Sequence, residues 1–408
     1  MVKKGCSGTR PLRMCNIRRY KAPVQASELR VALFTGNYNY VRDGANQALN
    51  RLVRYVEGEG VRVRVYSPTT DTPAFEPAGT LMSIPSVPVP GRPEYRIGLG
   101  LKGVRGDVAA FDPHIVHIAA PDIIGHRAVS WARRRGVPAV ASVHTRFETY
   151  ARYYKLGWLQ TVGEAALRRL YNRCFEIYAP SESMAAVLTD QRMSRRVRIW
   201  SRGIDRDLFH PRRRDMEWRR GLGIADDEVV VLFVARLVLE KGLDTLAATL
   251  AKLDERGVRH RALIVGEGPA RSWIEAQAPQ AIFTGFLGGE ALARAYASAD
   301  LMFNPSSTET FGNVTLEAMA SGLPVVAARA TGSLSLVADG VNGRLTTPDD
   351  IEESADALAC YITDPAIREA AGRAGLSAAD RYDWDRINHS LLDRYLRIAE
   401  VGRRLRRS

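Results

Sequence analysis

The sequence predicts an α/β protein made of two doubly wound, parallel-sheet domains, and three observations carry that expectation. Short β-branched runs alternate with amphipathic stretches along the 408 residues, and the alternation restarts once near the middle. A polar stretch bearing Arg and Pro, Asp205 to Arg214, separates the two series. The length suits two domains of average size, each large enough to bury its own core.

The first series opens with Leu29-Arg30-Val31-Ala32-Leu33-Phe34-Thr35, a short apolar strand, followed by a Gly-containing loop and a helix from about Gly44 to Glu57. Val61 to Tyr66 then alternates strictly and completes a βαβ unit. Further strands are expected at 114–118, 138–143 and 175–178, with helices at 123–135, 162–174 and 181–189. Residues 70–96 carry Pro73, Pro77, Gly79, Pro85, Pro88, Pro90, Gly91 and Pro93, and read as an irregular excursion. The second series has strands at 229–234, 261–265, 281–284, 300–303 and 323–327, with a helix from about Lys241 and others at 269–277 and 289–298. Leu391, Leu392, Tyr395, Leu396 and Ala399 form one face of a last helix. The expected organisation is a basic tail over 1–26, domains over 27–210 and 211–383, and a helix with a basic tail over 384–408.

Composition narrows the class. Hydrophobic residues make up 46% of the chain, as in a globular protein, yet no apolar run reaches the roughly 18 residues needed to span a bilayer. Cys6, Cys15, Cys174 and Cys360 are far apart, with no Cys-x-x-Cys pair and no signal-like apolar start, so neither disulfides nor a thiolate metal site is expected and a cytoplasmic setting is. Charge is unevenly spread: residues 27–214 hold 29 basic and 17 acidic side chains, residues 215–393 hold 16 and 27. Seven Lys or Arg and no acid lie in residues 1–26. A basic half suits anionic lipid, phosphate or nucleic acid as a partner.

The most informative motif is Glu309-Thr310-Phe311-Gly312-Asn313-Val314-Thr315-Leu316-Glu317. It follows a buried strand pattern and opens an amphipathic helix, so Glu309 falls in the loop and Glu317 inside the helix. The free N–H groups of Gly312, Asn313 and Val314 would form an anion site suited to a diphosphate, and carboxylates on either side can accept from vicinal hydroxyls. The longer pattern Ser-x-x-Glu-x-Phe-Gly-x-x-x-x-Glu-Ala-Met-Ala-Ser-Gly-x-Pro-Val-Val-Ala resembles the C-terminal half of the retaining glycosyltransferases of family 4. That resemblance implies the GT-B fold: two Rossmann-like domains facing a cleft, with a C-terminal helix crossing back to the first.

The resemblance also implies site roles. Glu309 would hold hydroxyls of the donor sugar and Glu317 the nucleotide ribose, while Arg236 and Lys241, in Val234-Ala235-Arg236-Leu237-Val238-Leu239-Glu240-Lys241-Gly242, would neutralise the donor's phosphates. Phe286 and Leu287 match the base-lining segment, and Gly44, in Asn39-Tyr40-Val41-Arg42-Asp43-Gly44, would let the backbone approach the donor. His144 matches a His near the donor sugar, with an orienting or charge-stabilising role. Val265-Gly266-Glu267-Gly268-Pro269 reads as a tight turn shaping the cleft rather than a dinucleotide fingerprint. No cofactor and no metal are expected: Asp205-Arg206-Asp207 spells Asp-x-Asp but matches the family's interdomain segment, and His114 and His117 fall on opposite faces of their strand.

The acceptor is expected to be a lipid at an anionic membrane surface, with the enzyme peripheral on its cytoplasmic face. Residues 122–167 interleave Arg127, Arg133, Arg134, Arg135, Arg146, Arg152 and Lys155 with Phe147, Tyr150, Tyr153, Tyr154, Leu156, Trp158 and Leu159. The segments around Asn39–Gly44 and His144–Tyr150 are similar to lipid-glycosylating branches that use GDP-mannose or UDP-sugars. A soluble or polysaccharide acceptor is the alternative within the family. A nucleotide-sugar epimerase would leave the Glu309/Glu317 pattern unexplained, and a nucleic-acid-binding protein would leave the cleft motifs idle.

Overall fold

The computed structural model describes residues 24–41, 43–89, 92–144 and 157–405. Most of the basic N-terminal tail, Arg42, residues 145–156 of the basic and aromatic stretch, the side chains of Trp158 and Leu159, and residues 406–408 lie outside the described residues.

The first domain runs β1 (Arg30–Phe34), α1 (Gly44–Gly58), β2 (Arg62–Ser67), β3 (Thr80–Ser83), β4 (Ser86–Val89), β5 (Arg92–Gly98), α2 (Arg105–Phe111), β6 (Ile115–Ile118), α3 (Ile123–Arg134), β7 (Ala139–Ser142), α4 (Gly157–Tyr171), β8 (Glu176–Ala179), α5 (Glu182–Asp190) and β9 (Val197–Ile199). Seven of these strands form one parallel sheet in the order β3-β2-β1-β6-β7-β8-β9. The central strands are buried on both faces, which is why they read as unbroken apolar runs.

Two expectations need correction. The stretch 70–96 is not wholly irregular: Thr80–Ser83 adds a parallel edge strand to β2, and β4 and β5 pair as an antiparallel ribbon. Four-residue strands are too short to show a period, and Pro88 is tolerated because β4 is one side of a two-stranded, solvent-exposed ribbon. Helix α2 was not anticipated. It packs Val108 into the apolar core and meets β2 through Asp107, which accepts from Arg64 Nη1 at 2.6 Å and from the Tyr66 hydroxyl at 2.7 Å.

The second domain continues α6 (Met216–Gly221), β10 (Val230–Val234), α7 (Leu243–Glu255), β11 (Arg261–Val265), α8 (Arg271–Gln277), β12 (Ile282–Gly285), α9 (Gly289–Ala297), β13 (Leu301–Asn304), α10 (Asn313–Ala320), β14 (Val325–Ala328), α11 (Ser333–Leu336), β15 (Gly343–Thr346), α12 (Ile351–Thr363) and α13 (Pro365–Ala379). Its parallel sheet has the order β12-β11-β10-β13-β14-β15. Strand β15 and helices α11 to α13 lie beyond the elements expected from the sequence. Helix α6 is fastened to the rest of this domain by Arg219, buried, whose guanidinium donates to Asp300 Oδ2 at 2.9 Å and to the carbonyls of Ser298 and Glu228.

The last helix, α14 (Trp384–Leu405), returns to the first domain. Leu391, Leu392, Tyr395, Ile398 and Ala399 share one buried cluster with Leu29, Val31, Leu33, Leu49, Leu52, Val56 and Trp200. Polar contacts fix its register: Trp200 Nε1 donates to Asn388 Oδ1 at 3.2 Å, and the Arg394 guanidinium is bonded to the buried Glu176 carboxylate. Because Ile398 is fully buried in that cluster, Ile398→Ala is expected to destabilise the first domain by about 2 to 5 kcal/mol. Denaturant unfolding followed by tryptophan emission and circular dichroism checks this; an unmoved midpoint would mean that α14 is not part of the first domain's core.

Candidate active site

Parallel sheets leave all their strand-to-helix loops on one edge. Here the two edges face each other across a seam. Thr310 Oγ1, before α10, donates to the His144 carbonyl after β7 at 2.9 Å, and Ser181 Oγ donates back to the Thr310 carbonyl at 3.0 Å. Ser183 completes the seam: its N–H donates to Ser335 Oγ at 3.2 Å, its hydroxyl lies 2.7 Å from the Ser335 hydroxyl, and it also donates to the Thr331 carbonyl.

On the second domain, α10 begins at Gly312, whose φ of +90° lies in the left-handed region that favours glycine, and no side chain caps this helix start. The amides of the first turn therefore face the cleft with the positive end of the helix dipole. Phe311 is buried edge-on against Tyr382, so it can meet a ligand only through its backbone. Directly beside this start, Lys241 Nζ donates to Glu309 Oε1 at 2.6 Å, both side chains being partly exposed. The loops carrying them are tied together by Thr308 Oγ1, which donates to the Glu240 carbonyl at 3.3 Å.

Arg236 is exposed on the same loop as Lys241. Its loop is clamped by the turn at 266–268: Leu237 N–H donates to the Glu267 carbonyl at 2.9 Å and Ala270 N–H to the Leu237 carbonyl at 3.0 Å. Gly266 sits at φ +141°, and a Cβ there would lie 1.8 Å from the Ala235 carbonyl oxygen, so the turn and the Arg236 loop can be this close only with glycine. Phe286, after β12, is 67% exposed and Leu287 half-buried, at the cleft edge of the sheet.

Glu317 lies one to two turns into α10, accepting from the Tyr296 hydroxyl at 2.9 Å. Burial raises its carboxyl to about 7, against the lowering pull of that bond. Across the cleft, Gly44 starts α1, and a Cβ on it would lie 2.2 Å from Asn313 Nδ2. Two helix starts, one from each domain, thus meet at Gly44 and Asn313.

His144 has both ring nitrogens engaged by the protein: Nε2 lies 2.8 Å from Ser142 Oγ, and Nδ1 accepts from Arg202 Nη2 at 2.8 Å. Burial first, then the neighbouring Arg202 and His117, hold it well below the usual imidazole range, so it is neutral. Arg202 is buried, stacks over Trp200 and donates to the Trp200 and Ser201 carbonyls; no carboxylate among the described residues pairs with it. Burial pushes its guanidinium down to about 10. The sequence did not single out Arg202, Ser142 or Tyr296 for the site; an Arg just before Gly203, after the short strand Val197–Ile199, was the one available signal.

The Asp-x-Asp carboxylates go separate ways. Asp205 accepts from the Leu208 N–H at 3.0 Å, whereas Asp207 is fully exposed beside Arg212. Among the described residues no group of three or more His, Cys, Asp or Glu is arranged to hold a metal ion.

Known families match the chain on both domains. The family model described as Glycosyltransferase Family 4 matches residues 42–208, and that described as Glycosyl transferases group 1 matches residues 228–364. A GDP-mannose-dependent alpha-mannosyltransferase of Mycolicibacterium smegmatis is 33% identical over 92% of this chain and 99% of its own length. One of the same name from Corynebacterium glutamicum is 30% identical over 92% and 91%. A sulfoquinovosyl transferase of Arabidopsis thaliana is 32% identical over 87% of this chain and 71% of its own. Among solved structures, a sucrose-phosphate synthase from Thermosynechococcus elongatus superposes with a TM-score of 0.75 at 21% identity, over 90% of this chain and 98% of that one, and the lipopolysaccharide glycosyltransferase WaaG with 0.67 at 22%, over 89% and 98%. At those identities the likeness speaks for the fold, which is GT-B. With relatives matched along nearly their whole length and a family model on each domain, this chain belongs to the glycosyltransferases of family 4.

Proposed function

We propose that this glycosyltransferase is a retaining enzyme that moves a hexose, mannose from GDP-mannose in the first instance, to a lipid acceptor at an anionic membrane surface. The observation that carries the donor side is the Lys241–Glu309 pair beside the uncapped start of α10, a cation, a carboxylate and a ring of amides within one loop's reach. The choice of mannose over a UDP-sugar draws on the names of the mannosyltransferase relatives, and a lipid acceptor on the basic tails and the basic, aromatic stretch of the sequence. Transfer of a sulfoquinovosyl group is the second reading, supported by the sulfoquinovosyl transferase relative.

In this reading the donor diphosphate lies on the α10 amides with Arg236 and Lys241, the sugar hydroxyls on Glu309, the ribose on Glu317 and the base along Phe286 and Leu287. The bond from the anomeric carbon to the phosphate oxygen breaks while the acceptor oxygen bonds to the same face of that carbon. The acceptor's proton passes to the departing phosphate, whose charge is taken up by Arg236, Lys241 and the helix dipole without a metal ion. No protein nucleophile is required.

The decisive experiment incubates the enzyme with GDP-mannose, UDP-glucose and other sugar nucleotides, with anionic or neutral lipid vesicles or soluble sugars as acceptors, with and without EDTA. Transfer of mannose to vesicle lipid, released from the surface by salt and indifferent to chelation, is the expected result. Transfer only to a soluble acceptor removes the lipid assignment, and activity rescued from EDTA by manganese removes the metal-free mechanism. Glu309→Ala and Lys241→Ala are each expected to lower kcat by about 10²-fold or more while the circular dichroism spectrum stays unchanged. Turnover near wild type in either would remove the assignment.

Glu317 makes a pH prediction. Its carboxyl, raised to about 7 by burial, accepts ribose hydroxyls through both oxygens and with charge assistance only when ionised, so the stronger-binding form is present above that value and lost below it. Donor KM should therefore rise about tenfold from pH 8 to pH 6, and Glu317→Gln should flatten the profile. A profile unchanged in the variant would place the titration elsewhere.

A further inference from the structure

We infer that Ser142, His117 and Tyr395 are positioning residues for His144: they form a buried hydrogen-bonded chain from the crossing helix α14 to the cleft that holds the His144 ring in the orientation in which Arg202 fixes its hydrogen on Nε2. The significance of His144 for transfer rests on the function proposed above; the chain itself does not.

A guanidinium has donors and no acceptor, so Arg202 Nη2, 2.8 Å from His144 Nδ1, makes that nitrogen the acceptor. A doubly protonated ring would set N–H against N–H, and the ring is buried beside a cation, so it stays neutral. The hydrogen is then on Nε2, which donates to Ser142 Oγ at 2.8 Å. Ser142 Oγ in turn lies 2.9 Å from His117 Nε2, and His117 Nδ1 lies 2.6 Å from the Tyr395 hydroxyl. His117 is wholly buried, enclosed edge-on by the rings of Tyr178, Trp200 and Tyr395, and its burial keeps it uncharged.

The His144 end of this chain has one setting, imposed by Arg202. The link between Ser142 and His117 can run either way, because each is both a donor and an acceptor. Buried polar groups of this kind are costly where they are not fully bonded, and the strand positions of Ser142 and His117 are otherwise surrounded by apolar side chains that would pack without them. The consequence at the cleft is direct. The carbonyl of His144 accepts from Thr310 Oγ1, and Thr310 follows Glu309, so the posture of His144 and the loop that holds Glu309 are set together. Tyr395 sits 278 residues from His117, on a helix that follows both domains, so the packing of α14 is linked to the state of the imidazole.

The test compares Ser142→Ala, Ser142→Thr and Tyr395→Phe with the unaltered enzyme, using nitrogen NMR of ring-labelled histidine and steady-state kinetics. In the wild type His144 should show the single Nε2–H tautomer. Ser142→Ala should keep the Nε2–H tautomer but shift and broaden its Nε2 signal, and lower kcat about tenfold with donor KM within about twofold, Tyr395→Phe should show a smaller loss of about threefold, and Ser142→Thr, which keeps the hydroxyl, should restore both readouts. Ser142→Ala and Tyr395→Phe proteins that melt earlier but keep the wild-type ring signals and kcat would reduce the chain to core packing and overturn the proposal. His144→Ala separates the two claims: full transfer activity in it would remove His144 from the reaction, while the ring spectra of the other variants would still decide whether the chain holds its ring.

Discussion

Parallel strand pairing is the constraint on which the rest of this molecule depends. Each strand must be followed by a crossover before its parallel neighbour can form, and the crossovers are right-handed, so the turns that follow the strands gather on one edge of each sheet. That alone brings Gly44, His144, Arg236, Gly266, Phe286 and Glu309 to two facing edges, although they span most of the sequence. Fine positioning is then done by a few backbone approaches. The turn at Gly266 touches the loop of Arg236, and Gly44 admits the side chain of Asn313.

The seam between the edges is built from short hydroxyl side chains: Ser181, Ser183, Thr310 and Ser335 donate across it to one another and to backbone carbonyls. Small polar groups of this kind exchange partners at little cost in entropy or buried apolar area, in contrast to the apolar clusters inside each domain. Charge is handled separately. In the proposed reading the acidic half of the sequence takes an anionic donor, for which Arg236, Lys241 and one helix start supply the positive potential rather than a net positive domain.

Much of the fold was legible because apolar period and turn chemistry are local. The buried runs at Val31, Val116 and Val230 could only be strands of a covered parallel sheet, and the Phe311-Gly312 step announced the start of α10. What escaped was what lacks a period or depends on residues far apart. Strand β3 is four residues long and sits in a Pro-bearing stretch, and α2 has only Val108 fully buried, so neither displays an amphipathic pattern. At the site, the spacing of Glu309 and Glu317 could be read, but not the pairing of Glu309 with Lys241, 68 residues away, nor the raised carboxyl of Glu317, which Tyr296 and its surroundings determine. Arg202 beside His144 is invisible for the same reason: 58 residues separate them, and only the folded sheet puts them in contact.

The return of α14 to the first domain bears on how the chain is made. During synthesis the first domain emerges long before residues 384–405, yet one face of its sheet and of α1 is covered by Leu391, Leu392, Tyr395 and Ile398, and its buried Glu176 is matched by Arg394. Its contacts close loops as long as the 375 residues between Glu28 and Arg403. On the ribosome the first half therefore waits with an apolar face uncovered and Glu176 without Arg394, while the second domain, whose strands and helices lie between 216 and 379, has its core in hand first. The order of maturation is inverted relative to the order of translation, and the first domain's open face is closed only when residues 384–405 have emerged.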